Sequence, residues 1–140
     1  MALLSAVAIC GCGGTSLSTA QLRRQATRIC AAARVRTVRI PTPVNPAGGA
    51  AFLAGGTAVL SPELAALRRL TPTGDPARTY MRTIDAFSQM LAELHAGVIG
   101  LHRGSDPVIV IKTLQAHLAP LESVQQRGWE ALGIPACVNQ

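Results

Sequence analysis

Acid–base or metal chemistry in this chain would have to come from His95, His102 and His117 and from seven carboxylates between Glu63 and Glu130. His95 and His102 stand seven residues apart, so on a helix they share a face but lie about 10.5 Å apart along its axis. One zinc ion holds its ligands at about 2 Å. Neither histidine has a His, Glu or Cys three or four residues further on to complete a chelate. The carboxylates do not converge either, since Asp85 and Glu93 are eight apart, as are Glu122 and Glu130. No serine sits in a Gly-x-Ser-x-Gly elbow, and no P-loop or Gly-x-Gly-x-x-Gly run occurs. These residue types argue against an enzyme, and no metal or cofactor is expected.

The four cysteines offer more. Cys10 and Cys12 follow a short apolar run at residues 2–9. That run cannot span a bilayer as a helix, which takes about 20 residues, but it suits the core of a secretory signal. The residues before Cys12 resemble a bacterial lipobox, with Ile9 at −3 and Gly11 at −1. The resemblance implies diacylation of the Cys12 thiol, with palmitate-type chains, and cleavage just before it. Residues 1–11 are then expected to be a signal peptide, 12–18 a lipidated spacer and 19–140 a single helical domain. Cys10 would leave with the signal, and Cys30 and Cys137 would remain. An exported chain left with two such cysteines most simply joins them. The bond would close a loop of about 100 residues, worth roughly 4–5 kcal/mol in the chain-entropy model. A cytosolic chain would instead keep two buried thiols.

Helices must position those cysteines. The chain is 49% apolar and only 3% aromatic, and much of the apolar share is alanine, the best helix former. The most regular stretch is residues 75–102. There Tyr80, Ile84, Phe87, Leu91, Leu94, Val98 and Leu101 alternate at spacings of four and three, which predicts a long amphipathic helix. Ser18 and Gln21 have the form of a capping box and predict a first helix from there to about Val38. Pro41, Pro43 and Pro46 end it as an ordered crossover. Gly55-Gly56 and Ser61-Pro62-Glu63 predict a second helix that is kinked, or broken into two pieces. Asp75-Pro76 and Ser105-Asp106-Pro107 start the third and fourth helices in the same way. The fourth carries Val108, Ile111, Leu114, Leu118, Leu121 and Val124 toward the core and contains Pro120. Gly133 and Pro135 stop it. The expected fold is all-α, a four-helix bundle with a broken or kinked second helix, closed by a disulfide between helix 1 and the C-terminal tail.

The formal charge of +6 is unevenly placed. Arg23, Arg24, Arg28, Arg34, Arg36 and Arg39 are the only charged side chains before Glu63, and from Glu63 onward acids and bases are equal in number. On a helical wheel Leu22, Ala26, Ile29, Cys30 and Ala33 share one face, while Arg23, Arg24, Arg28, Arg34 and Arg39 lie on the other. After a lipid anchor, that cationic face could lie on anionic headgroups at about 1 kcal/mol per arginine. It could equally be a solvated face of an ordinary bundle helix. Nucleic acid is not expected as a partner of an exported chain with so few aromatic side chains for stacking.

Ile29-Cys30-Ala31-Ala32, the leucines of residues 64–70, Thr71-Pro72 and Leu132-Gly133-Ile134-Pro135-Ala136-Cys137 occur in that order. In this arrangement the chain resembles small exported helical proteins of high-GC actinobacteria. The resemblance implies a disulfide-closed bundle at the cell envelope and supplies no catalytic residues. The expected function is a non-enzymatic interaction or structural module, anchored by lipid on the extracytoplasmic face of the cell membrane and meeting an envelope partner of unknown identity. The alternatives are a carrier of a lipid or other small apolar ligand, with a cavity at Gly48 to Gly56, Gly97 and Gly100, or a cytosolic basic protein that binds nucleic acid.

Overall fold

The computed structural model describes residues 16–138. Cys10 and Cys12, with the expected signal and most of the spacer, lie outside the described residues. Four helices make the domain: α1 (Thr19–Thr37), α2 (Gly49–Arg68), α3 (Asp75–His102) and α4 (Pro107–Leu132). Short 3-10 turns at Pro46–Gly48 and Pro135–Cys137 flank α2 and follow α4. No strand forms among the described residues, only an isolated bridge between Leu17 and Pro72. The protein is an all-α four-helix bundle.

Local chemistry sets most of the helix ends. The Ser18 hydroxyl accepts from the Gln21 amide, and the Gln21 side chain accepts from the Ser18 amide, so the capping box forms in full. Asp106 caps α4 by accepting from the amides of Val108 and Ile109. α3 departs from expectation. Its cap is Gly74, at φ 74°, a conformation costly for any residue with a Cβ. Asp75 sits inside the first turn, where its charge meets the positive helix end.

α2 runs unbroken through Ser61-Pro62, so the two short pieces allowed by the sequence do not form. Pro62 cannot donate to the carbonyl four residues back, a local cost of about 3 kcal/mol. Burial outweighs it, because Leu53 on one side of the proline and Leu64 and Leu67 on the other are all in the core. The Ser61 hydroxyl donates back to the Thr57 carbonyl at 2.7 Å instead of capping a new helix. Gly55 is tolerated because Ile40 packs onto it.

The helices alternate in direction. α3 packs between α2 and α4, while α1 rests mainly on α2 and on the C-terminal 3-10 turn. The core is concentrated toward one pole, where Leu22, Ala26 and Cys30 meet Leu67, Tyr80, Ile84, Phe87, Trp129, Leu132 and Ile134. Tyr80 and Trp129 meet edge to face, with ring centres 5.9 Å apart. The Tyr80 hydroxyl donates to the Leu67 carbonyl at 2.8 Å, and burial pushes its pKa up, so it remains a donor at ordinary pH.

At the other pole the packing thins. Leu94, Val98 and Leu101 of the α3 seam are only half-buried. Of the apolar residues expected to face the core from α4, Leu114 is buried, while Leu118, Leu121 and Val124 are half-buried. Val108 and Ile111 are exposed, as is Ile109 between them. The first turns of α4 extend beyond the bundle's buried centre, so their hydrophobicity is not spent on the core.

Candidate functional site

Cys30 and Cys137 are joined in a disulfide, with their Cα atoms 5.1 Å apart. The pairing depends on an elbow after α4. Gly133 adopts φ 69°, the Ile134 amide returns to the Trp129 carbonyl, and the Gly133 amide returns to that of Glu130. This is a Schellman stop, which needs glycine at the turning residue. It sends Ile134 into the core with no exposure and turns Pro135–Cys137 back onto α1. Cys30 faces it from the buried stripe that also holds Leu22, Ala26 and Ala33.

The arginines of α1 divide into two groups. Arg23 reaches across to the end of α4, where its Nε donates to the Leu132 carbonyl at 2.7 Å. It neutralises an orphan carbonyl at the negative end of that helix, and so it helps to hold the elbow. Arg24, Arg28, Arg34 and Arg39, together with Arg36, are exposed. Among the described residues none of them is paired with a carboxylate. Arg23, Arg24, Thr27 and Arg28 border one shallow surface hollow. Replacing Arg23 by alanine is expected to cost about 1 kcal/mol in urea denaturation, whereas Arg24→Ala should stay within about 0.5 kcal/mol of the parent. Equal effects would show that Arg23 has no structural role.

Of the histidines, His95 and His102 are exposed on α3. His117 pairs across the α3–α4 interface, its Nδ1 lying 2.8 Å from Glu93 Oε2. Nothing in the local sequence points to this contact, because the partners are 24 residues apart. The pair is about half exposed, so it serves as a surface clip worth at most about 1 kcal/mol. Among the described residues no hydroxyl or thiol is hydrogen-bonded to His117, and no group of three potential metal ligands gathers.

The glycines at which the carrier alternative places a cavity are mostly helix contacts. Leu114 covers Gly97, Pro43 covers Gly48, Leu101 lies 3.8 Å from where a Cβ on Gly49 would stand, and Val110 and Ser105 approach Gly100. The apolar-lined hollows open at the surface. One of about 260 Å³ lies between Phe87, Met90, Gln125 and Val138, beside the disulfide. Another, of about 350 Å³, lies between Leu70, Pro72, Tyr80 and Met81. The segment Pro46–Arg68 is long and apolar enough to cross a membrane by length and composition. In the fold it is a bundle helix, packed between α1 and α3.

No family model, curated protein or solved structure matches this chain.

Proposed function

We propose that the protein is a lipid-anchored module of the cell envelope, held on the extracytoplasmic face of the membrane, and that it acts by non-enzymatic interaction. The observation that carries this reading is the Cys30–Cys137 bond, which joins residues 107 apart in sequence. Bonds of this kind form and persist in oxidising compartments and are rare in the cytosol. The motif at Ile9 to Cys12 supplies the anchor, with the lipid on Cys12. Leu17 supplies a fixed point of attachment, because its amide donates to the Thr71 carbonyl at 3.0 Å beside the bridge to Pro72. The chain thus enters the bundle at the α2–α3 turn. Arg24, Arg28, Arg34 and Arg39, which pair with no carboxylate among the described residues, suit contact with anionic headgroups.

The test is the mass of the protein recovered from its native membranes, intact and after reduction. A chain beginning at Cys12, heavier by its acyl groups and gaining about two mass units on reduction, is the expected result. Replacing Cys12 by alanine should then release the protein into the soluble fraction. A full-length, unmodified chain in the soluble fraction overturns the reading and brings salt-dependent nucleic-acid binding by the arginine helix to the front.

A further inference from the structure

The exposed hydrophobic side chains are not scattered. Among the described residues, every large apolar side chain left exposed, except Met81, belongs to one pole of the bundle. Val35 and Val38 end α1, and Val44 lies in the crossover. Phe52 opens α2, Ile99 closes α3, and Val108, Ile109 and Ile111 open α4. Packing contacts hold these ends together. Ile40 packs onto Gly55, Leu101 onto Gly49 and Val110 onto Gly100, and the Pro46–Gly48 turn rests on α4. Val44 is 98% exposed and Val38 74%, so the fold leaves the first uncovered and the second mostly so.

The charges at this pole are mostly of one sign. Arg34, Arg36, Arg39, Arg103 and Lys112 are all exposed there. The one acid, Asp106, has its carboxylate committed to capping α4. From residue 40 to residue 62 the chain carries no charge at all. Only 28% of the most apolar window in Pro46–Arg68 is buried, so much of that uncharged surface faces outward.

We infer that this pole is a membrane-insertion surface, which places its apolar side chains among the acyl chains of an anionic bilayer while its arginines and lysine meet the headgroups. Apolar tips ringed by cations are the requirement for interfacial binding. A second copy of the chain would bring like charges face to face. The centre of a protein interface would be richer in tyrosine and tryptophan than this pole, whose only aromatic residue is Phe52. The choice of a bilayer as the occupant rests on the envelope location proposed above. The pole lies at the far end of α1 from the attachment at Leu17, about 28 Å away for a helix of this length.

The experiment uses the full chain carrying Cys12→Ala, produced without acylation, so that the anchor contributes nothing. Co-sedimentation is measured with vesicles of equal parts phosphatidylglycerol and phosphatidylcholine, and with phosphatidylcholine alone. The expected result is binding to the anionic vesicles that weakens with salt. It should fall at least tenfold in the Val44→Asp, Ile109→Asp double variant and stay unchanged in Met81→Asp, at the opposite pole. All three substituted side chains are exposed, and a thermal melt of each variant checks that the fold is retained. Binding that survives Val44→Asp and Ile109→Asp, or that Met81→Asp reduces equally, overturns the inference. So does absence from both kinds of vesicle. Capture by polyglutamate-coated beads without vesicle binding also overturns it, and assigns the pole to an acidic protein. The acyl mass of the native protein is read separately, so the anchor and the insertion surface can each fail alone.

Discussion

Replacing Cys30 and Cys137 together by alanine is expected to destabilise the domain by about 4–5 kcal/mol, the largest effect of any change considered. The bond ties together residues 107 apart. In the chain-entropy model, a closed loop of that length removes about 4.7 kcal/mol of conformational freedom from the unfolded chain. Domains of this size are stable by only about 5–15 kcal/mol, so the bond is a large share of the total. The packing makes the dependence sharper. α1 touches the bundle mainly through α2 and the C-terminal turn, so the covalent link supports one of its two principal contacts. Equilibrium urea denaturation with and without reductant measures the effect. The midpoint should fall, and the slope should rise as the unlinked chain exposes more surface on unfolding. Both cysteines are buried, so the alanine variant should also fall slightly below the reduced parent, by the small cavities it leaves. A midpoint unchanged by reductant would show that the bond does not hold the domain together.

The parts of this fold that were legible in the sequence are those set by neighbours in the chain. The Ser18–Gln21 box, the Asp106 cap and the Gly133 stop each act over a few residues, and each forms as read. The cysteine pair was legible by a different route, from the number of thiols that export, if it occurs, would leave in the chain. What the sequence hid depends on contacts between distant residues. Pro62 reads as a helix start, yet α2 passes through it because Leu64 and Leu67 are buried against other helices. Val108 and Ile111 read as core by their spacing, but periodicity gives a face and not the depth at which that face is covered. The arginine face of α1 was legible as a charge pattern. The use of Arg23 as a cap on α4 was not, because its partner Leu132 is 109 residues away. The clustering of exposed apolar residues at one pole became visible only when the four helix ends were brought together.

Gly128→Ala is expected to destabilise the protein by about 2 kcal/mol, although alanine favours helix over glycine by about 1 kcal/mol. Gly128 lies in the interior of α4 and is buried against Thr83 of α3. A Cβ at position 128 would overlap Thr83 Oγ1 and would stand 3.0 Å from Thr83 Cβ and 3.1 Å from its Cγ2. The Thr83 hydroxyl donates to the Thr79 carbonyl at 2.8 Å, which fixes the rotamer. Rotating the side chain would not help, because Thr83 Cβ itself is too close and is held by the helix backbone. The two helices would have to move apart, an overpacking cost of about 3 kcal/mol that outweighs the gain in propensity. Gly97→Ala is the control. The same alanine would there meet Leu114 Cδ1 at 2.7 Å, the far end of a flexible side chain that can swing aside. Its net effect should be within about 1 kcal/mol of zero. Thr83→Ala in the Gly128→Ala background removes the hydroxyl and methyl contacts and leaves only the Cβ contact, so the pair should couple favourably by about 1 kcal/mol in a double-mutant cycle. Equal costs at the two glycines, or no coupling with Thr83, would mean that the α3–α4 hairpin is not set by this close approach and that the elbow presenting Cys137 to Cys30 is positioned some other way.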